Sequence, residues 1–393
     1  MTVWIVNPFD NLPPEGLRPQ RYWLMARAFA RAGHKVEYWS ADFSHAYKQP
    51  RDPARLIGVH EGIKLLLAHE PPYPRNICFK RLWSHWRFSR NWLSEALKGE
   101  KGVDVVIVSS PPLSLAAAAR AFCRQTGARL ILDIQDDWPG TFRRVAPGFL
   151  LAPLAALARR NYLAADAITA VSRRYLEMAR SLGASCPMHL CYHGIENRQV
   201  PAARGDALPP SPGSKPDACR LVYVGNMSRS YDLATVVEAV KVLPDATLEL
   251  AGTGPDEAAL RSRAAGCGRI RFHGYLEEGP LRELLARSDI GIVPMFPDSC
   301  VGIPGKLADY AAAGLPIINS LGGEAEELLA RYGAGVRYEA GSRESFLAAV
   351  QAARHLEKNA VFALSVEFDA EKLYNSYLNF IESVASKPGP AGA

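Results

Sequence analysis

Apolar residues in this chain fall into short unbroken runs, separated by longer stretches in which they recur every three or four positions. In the first half the runs lie near residues 3–7, 35–40, 63–68, 104–109, 129–135, 167–171 and 188–192. VDVVIVSS and ARLILDI show little apolar–polar alternation, as expected of parallel strands covered on both faces. Between them, Gln20–Gly33, Leu113–Gln125 and Arg173–Leu182 carry amphipathic helical spacing. Residues 1–196 are therefore predicted to form a doubly wound α/β domain. Residues 197–217 contain five prolines and no sustained periodicity, the signature of a linker. The alternation then restarts: RLVYVG, TLELAG, RIRFHG, DIGIVP and PIINS read as strands, with helices near 232–243, 255–265, 279–288, 304–313 and 323–331. A second parallel α/β domain is predicted over 218–365. In 366–385, Leu373, Tyr374, Tyr377, Leu378 and Ile381 recur at helical spacing, so a last helix should pack across the domains, followed by a disordered tail at 386–393. Parallel sheets bind ligands at their carboxyl edges, so a cleft between two facing domains is the expected site.

Composition narrows the class. A chain of 393 residues, 48% apolar and 22% charged, is globular and long enough for two cores. The net charge of +6 suits anionic substrates or an anionic membrane surface and is too mild to point to nucleic acid. Seven scattered cysteines without a C-x-x-C pair suggest reduced thiols and a cytosolic protein. VWIVN at the start lacks a signal-peptide pattern, and the longest apolar run, Gly148–Ala158, falls short of the ~20 residues that cross a bilayer.

The densest candidate chemistry is VGIPGKLADYAAAGLPIINS, residues 301–320. Pro304 suits the first turn of a helix and Gly314 before Pro316 supplies its stop, predicting a helix from about Pro304 to Ala313. Lys306 and Asp309 share one face near its start, where free N–H groups favour an anion; a solvated ion pair is the alternative. YVGNMS ends a strand in Gly225 and Asn226, with Arg229 just beyond as a phosphate donor or a solvated loop arginine. LAGTGPDE places Gly252 and Gly254 in a turn before a helix; acids there argue against phosphate at that helix start, so the turn should be structural and near the nucleotide. Tyr275 follows the next strand and either stacks on a base or covers core.

In the first domain, Gly16 offers backbone N–H groups, with Arg18 and Arg21 adding charge, in the loop after the first strand. ILDIQDDWP ends a strand in acids and a tryptophan. Asp136, Asp137 and Trp138 suit sugar hydroxyls and an apolar sugar face; metal binding is the rival, without supporting ligand spacing elsewhere. Phe79–Leu93 sets Phe79, Leu82, Trp83, Trp86 and Leu93 on one helical face among Lys80, Arg81, Arg87 and Arg90. That face meets either a core or a membrane interface.

In this order PEGLRPQR, DDWP, AVSRRYLEM, YHGIE, YVGNMS, LAGTGPDE, IRFHGYLE and GIPGKLADYAAAGLPII resemble the GT-B glycosyltransferases, specifically the retaining family 4 enzymes of bacterial surface polysaccharides. The resemblance spans nearly the whole chain and implies two facing Rossmann-like domains. It also implies a hexosyltransferase taking a UDP- or GDP-linked sugar, without an obligatory metal or other cofactor. By the family's Glu-x7-Glu motif, Asp309 falls on the second glutamate, which accepts from the ribose, while Val301 falls on the first and cannot play a polar role. Gly302, Ile303 and Pro304 are then the donor-side backbone, Arg229 and Lys306 the diphosphate cations, with Gly16 and Arg18 closing from the other domain. Asp136 is assigned to the catalytic group, and Arg21, Asp137 and Trp138 to the acceptor side.

The function expected from residues and resemblance together is transfer from a nucleotide-diphosphate sugar to a glycan or lipid-linked acceptor in envelope polysaccharide synthesis. The protein would be cytoplasmic, with peripheral membrane contact through 79–93. Two other readings stand beside it: a GT-B sugar-nucleotide epimerase, and a silent nucleotide-sugar- or glycan-binding subunit, which the valine at 301 keeps open.

Overall fold

A computed structural model describes residues 1–76, 78–99, 102–144, 147–196 and 218–386. The predicted linker 197–217 and the tail after 386 lie outside the described residues. The chain divides into two compact units, Met1–Gly194 with the segment from Ala370 onward, and Ile195–Asp369.

The strands of the first unit are Thr2–Val6 (β1), Lys35–Ala41 (β2), Phe43–Ser44 (β3), Gln49–Pro50 (β4), Gly58–His60 (β5), Ile63–Ala68 (β6), Val105–Ser110 (β7), Arg129–Ile134 (β8), Ala167–Ala170 (β9) and Met188–Leu190 (β10). Its helices are Arg21–Arg31 (α1), Pro53–Leu56 (α2), Phe79–Lys98 (α3), Leu113–Thr126 (α4), Gly148–Leu163 (α5) and Arg173–Ser181 (α6). The main sheet runs β10-β9-β8-β7-β1-β2-β6-β5, parallel except for β5 at its edge, and β3 and β4 form a separate antiparallel pair. The side chains of β1 alternate between two cores. Trp4 and Val6 join Val106, Val108, Phe88, Trp92 and Phe122 on one face; Val3 and Ile5 join Val105, Ile107, Trp23 and Phe29 on the other. That double coverage explains why these strands lack apolar–polar alternation. Strand order reverses between β1 and β7, so the loops after these strands diverge and leave a crevice at their carboxyl ends.

The second unit repeats the plan. Its strands are Cys219–Val224 (β11), Ala246–Ala251 (β12), Ile270–Gly274 (β13), Ile290–Val293 (β14), Ile317–Asn319 (β15) and Gly335–Arg337 (β16). Its helices are Leu233–Val242 (α7), Glu257–Arg263 (α8), Glu278–Ala286 (α9), Gly305–Ala312 (α10), Glu324–Tyr332 (α11), Arg343–Ala353 (α12) and Lys358–Ser365 (α13). All six strands are parallel in the order β13-β12-β11-β14-β15-β16, and the reversal lies between β11 and β14.

Three sequence expectations need correction. The last helix, Ala370–Ala385 (α14), belongs to the first unit rather than lying across both: its stripe of Tyr374, Tyr377, Leu378, Ile381 and Val384 completes the core that also holds Phe29 of α1. Tyr377 meets Phe29 edge-on at 6.4 Å, and Glu382 pairs with His34 at 2.9 Å. The buried face of α3 is His85, Phe88, Trp92 and Ala96 rather than the stripe through Phe79 and Trp86; Phe79, Trp83 and Trp86 are 90%, 49% and 44% exposed. Finally, β3, β4, β5, β16, α2, α5, α12 and α13 have no counterpart in the sequence reading. Strands of two or three residues are too short to carry a period.

Candidate functional site

In the second unit the site is built by Tyr310. Strands β11 and β14 pair only through Leu221–Ile290 and Val222–Gly291, then part. The Tyr310 hydroxyl fills the gap, accepting from Val224 N at 3.0 Å and donating to the Ile292 carbonyl at 3.2 Å. Gly291 lets the ring lie there, since a Cβ at that position would sit 2.5 Å from it. This fixes α10 against the strand ends. Pro304, in extended conformation, caps α10, which ends as predicted at Gly314 with φ 64. Side chains on a helix lean toward its N-terminus, so Lys306, one turn before Tyr310, reaches toward the end of β11. Its Nζ stands 4.1 Å from the ring centre of Tyr223 and 4.0 Å from that of Tyr231, and a Cβ on Gly225 would lie 3.2 Å from it.

That amine is buried and has no hydrogen-bond partner among the described residues. Burial drives its pKa well below the usual lysine value, while Asp309 pulls the other way. Burying an ammonium with no acceptor in reach is costly, which is why burial favours the neutral amine and Asp309 offsets it only in part.

The other predicted residues of this unit divide. Gly225 lies at the end of β11 beside Lys306, and its N–H is already given to Ala251 O. Asn226 is exposed, and its carbonyl accepts from the Tyr223 hydroxyl at 2.5 Å. Gly252 and Gly254 are glycines because of neighbouring backbone: Cβ atoms there would fall 2.0 Å from Gly225 O and 2.2 Å from Met227 O. Their role is to press one loop under another. Gly302, Ile303 and Pro304 are buried at the entry to α10, with Val301 and Asp309 half-buried. Arg229 is exposed and makes no hydrogen bond or ion pair among the described residues, and Tyr275 is 61% exposed.

In the first unit the structure corrects two expectations. Arg21 is 4% exposed: Nε and Nη2 grip Asp133 at 2.9 and 2.8 Å, and Nη1 donates to the carbonyls of Cys191 and Tyr192. Asp133 also accepts from Tyr22 and Thr169, which with Arg21 hold its carboxyl below the usual range against burial. Arg21 thus ties α1 to β8 and to the chain after β10 and has no reach left for an acceptor. Gly16 does not open a helix with a free N–H; it closes the turn Pro13–Glu15 at φ 83 and donates to Pro13 O. Arg18 beside it is exposed.

Trp138 lies in a cluster at the carboxyl edge of the first sheet. Its ring is 5.8 Å from His85 and 4.6 Å from Phe142, with the Arg81 guanidinium 5.3 Å from its centre. Asp136 accepts from Asp137 N and Thr141, and burial raises its pKa. Asp137 accepts from Gly140 N, where any side chain would collide with the carboxylate. Sequence reasoning missed Phe9, His45, Lys48, Glu70 and Tyr73 here. Phe9 stands in the loop after β1, and Glu70 and Tyr73 in the loop after β6, whereas His45 and Lys48 lie between the two-residue strands β3 and β4, which leave no sequence signal. Among the described residues no group of three His, Cys, Asp or Glu side chains is arranged to hold a metal ion.

Two family models match the chain: one described as Glycosyltransferase Family 4 over residues 21–199, the other as Glycosyl transferases group 1 over residues 218–355. Comparison with curated proteins gives no match. Among solved structures, sucrose-phosphate synthase from Thermosynechococcus elongatus superposes with a TM-score of 0.77 at 14% identity, covering 98% of each chain. The Anabaena protein HepE in complex with UDP gives 0.68 at 13%, covering 98% of this chain and 100% of its own. The lipopolysaccharide outer core galactosyltransferase WaaB gives 0.63 at 14%, covering 98% and 99%. These likenesses are of fold, and the two family matches divide between the two units as the sheets do. With both halves matched in order, the chain belongs to the family 4 glycosyltransferases and has their GT-B fold, and it is a glycosyltransferase.

Proposed function

We propose that the protein transfers a sugar from a nucleotide-diphosphate sugar, with a uridine nucleotide as the first choice, to a glycan or lipid-linked acceptor in envelope polysaccharide synthesis. The observation that carries this reading is the buried, unpartnered Lys306 amine at the reversal point of the second sheet. A leaving diphosphate would be the anion that keeps this amine protonated, and the ammonium so formed would stabilise that group as the C1–O bond breaks. Asp309, three residues on, would accept from the ribose, and Gly302 and Ile303 would line the diphosphate. Support for uridine comes from the neighbours HepE and the E. coli trehalose-6-phosphate protein, described as bound to UDP-glucose and UDP-2-fluoro glucose respectively. Retention would follow from front-face attack: the acceptor oxygen bonds C1 as the diphosphate leaves, and the acceptor proton passes to the departing phosphate. Turnover of UDP-sugars tests the reading. Lys306→Ala should lower transfer or donor hydrolysis at least tenfold, and an unchanged rate rejects it.

Peripheral membrane contact is part of the same proposal. No described helix is long and apolar enough to cross a membrane. On α3, however, Phe79, Trp83 and Trp86 face outward beside exposed Lys80, Arg87 and Arg90, with Arg90 5.1 Å from the Trp86 ring. Aromatic rings flanked by cations suit an anionic interface. Sedimentation with vesicles containing phosphatidylglycerol should bind the protein, and Trp83→Ser with Trp86→Ser should release it. Equal binding by the double variant discards this contact.

A further inference from the structure

We infer that the carboxyl edge of the first sheet binds an acceptor bearing a phosphate or diphosphate group, gripped by Arg81 and Lys48. The inference rests on the transfer reading and adds to it the chemistry of the acceptor. It starts from a contrast among the cations of this unit. Arg21, Arg27, Arg51 and Arg129 each pair with a carboxylate, namely Asp133, Glu61, Glu15 and Asp166. Arg81 and Lys48 pair with none among the described residues. Arg81 donates to neutral groups, the Asn76 carbonyl at 2.6 Å and His85 Nε2 at 3.3 Å. Lys48 donates to the His45 carbonyl and to Asn76 Oδ1, both at 2.7 Å. One residue, Asn76, therefore holds both cations.

Around them stand rings rather than counter-ions. The Arg81 guanidinium lies 5.6, 5.9 and 5.3 Å from the centres of Phe9, Tyr73 and Trp138, and Lys48 Nζ lies 4.6 Å from that of Tyr73. The nearby acids are occupied or held toward neutrality. Burial pushes Glu70 up to about 8, with Oε1 accepting from Ser84; Asp136 is raised by burial and shared between Asp137 N and Thr141. Burial, with Arg81 next, takes His45 down to about 3, so it adds no charge. Two buried polar atoms lack partners: His85 Nδ1, which carries the ring proton because Nε2 accepts from Arg81, and Glu70 Oε2. Uncompensated cations, an idle N–H and flat apolar walls fit a phosphate attached to a sugar or to an isoprenoid chain better than they fit an uncharged glycan.

Titration calorimetry, with and without saturating UDP, decides the matter using two matched pairs: glucose 6-phosphate against glucose, and farnesyl phosphate against farnesol in detergent micelles. At least one phosphorylated member should bind tenfold or more tightly than its partner. Arg81→Gln and Lys48→Gln should each reduce that preference at least fivefold, and Arg81→Lys should restore part of it. The pair that shows the preference names the source, a soluble sugar phosphate or a lipid-linked one. Absence of preference in both pairs, absence of binding, or a preference that survives Arg81→Gln and Lys48→Gln overturns the inference. UDP affinity unchanged in these variants keeps the result separate from the donor reading, which is judged by UDP-sugar turnover and the Lys306→Ala variant.

Discussion

Arg21 in the first unit and Lys306 in the second both carry a basic group away from water, near the carboxyl end of a parallel strand, and they could hardly be treated more differently. Arg21 is matched atom for atom by Asp133 and two carbonyls. Lys306 meets two tyrosine faces and, among the described residues, nothing that accepts a hydrogen bond. A matched buried charge holds a fold together, and an unmatched one costs stability unless a ligand supplies its partner; the difference lies in the second partner, not in the residue type.

The strongest way to break this contrast is to cut the matched pair. Arg21→Met should destabilise the first unit by about 3–5 kcal/mol, because Asp133 is left as an uncompensated buried charge. Urea unfolding should show the loss in that unit's transition, and a stability within ~1 kcal/mol of the parent would mean that Arg21 is not structural.

Lys306→Met should do the reverse and raise the melting temperature while lowering UDP affinity. About 1 kcal/mol moves a unit of this size by roughly 2–4 °C. The gain should depend on pH in a definite sense. Lys306 has a lowered pKa when folded, so below the ordinary lysine value, about 10.4, the unfolded chain binds the extra proton and is favoured by it. The advantage of the methionine variant should therefore be larger at pH 7 than at pH 9.5, and its pH-dependent part should fade as the pH passes about 10.4. A pH-independent difference contradicts the buried amine.

Asp309→Ala, the mildest change, sharpens the picture on the ligand side. A charge-assisted hydrogen bond contributes about 1.5–3 kcal/mol, so UDP should bind some tenfold or more weakly by calorimetry while stability hardly moves. Unchanged affinity would remove Asp309 from the ribose.

What the sequence disclosed follows from the range of the forces involved. The α10 region was readable because Pro304 and Gly314 act locally, and the parallel strands because burial on both faces leaves unbroken apolar runs. Arg21 looked like a binding residue because its partner Asp133 is 112 positions away, and no local pattern marks that distance. Gly252 and Gly254 read as a structural turn near the nucleotide, but the reason for the glycines is not local either: the backbone that forbids their side chains belongs to the preceding strand's loop. On α3 two apolar stripes compete, and only the position of β6 and α4 decides that Phe88 and Trp92 turn inward while Trp83 and Trp86 turn out.

The return of α14 to the first unit bears on the order of events at the ribosome. Residues 195–369 are contiguous and can complete their own hydrophobic interior as soon as they emerge, whereas the unit that begins the chain must wait for residues 370–385 to bring Tyr374, Tyr377 and Ile381. Synthesis therefore should finish the middle before the beginning. Released chains truncated after residue 369 should resist protease in the second unit and be cut within residues 1–194, and equal resistance in both would show that the first unit closes without its last helix.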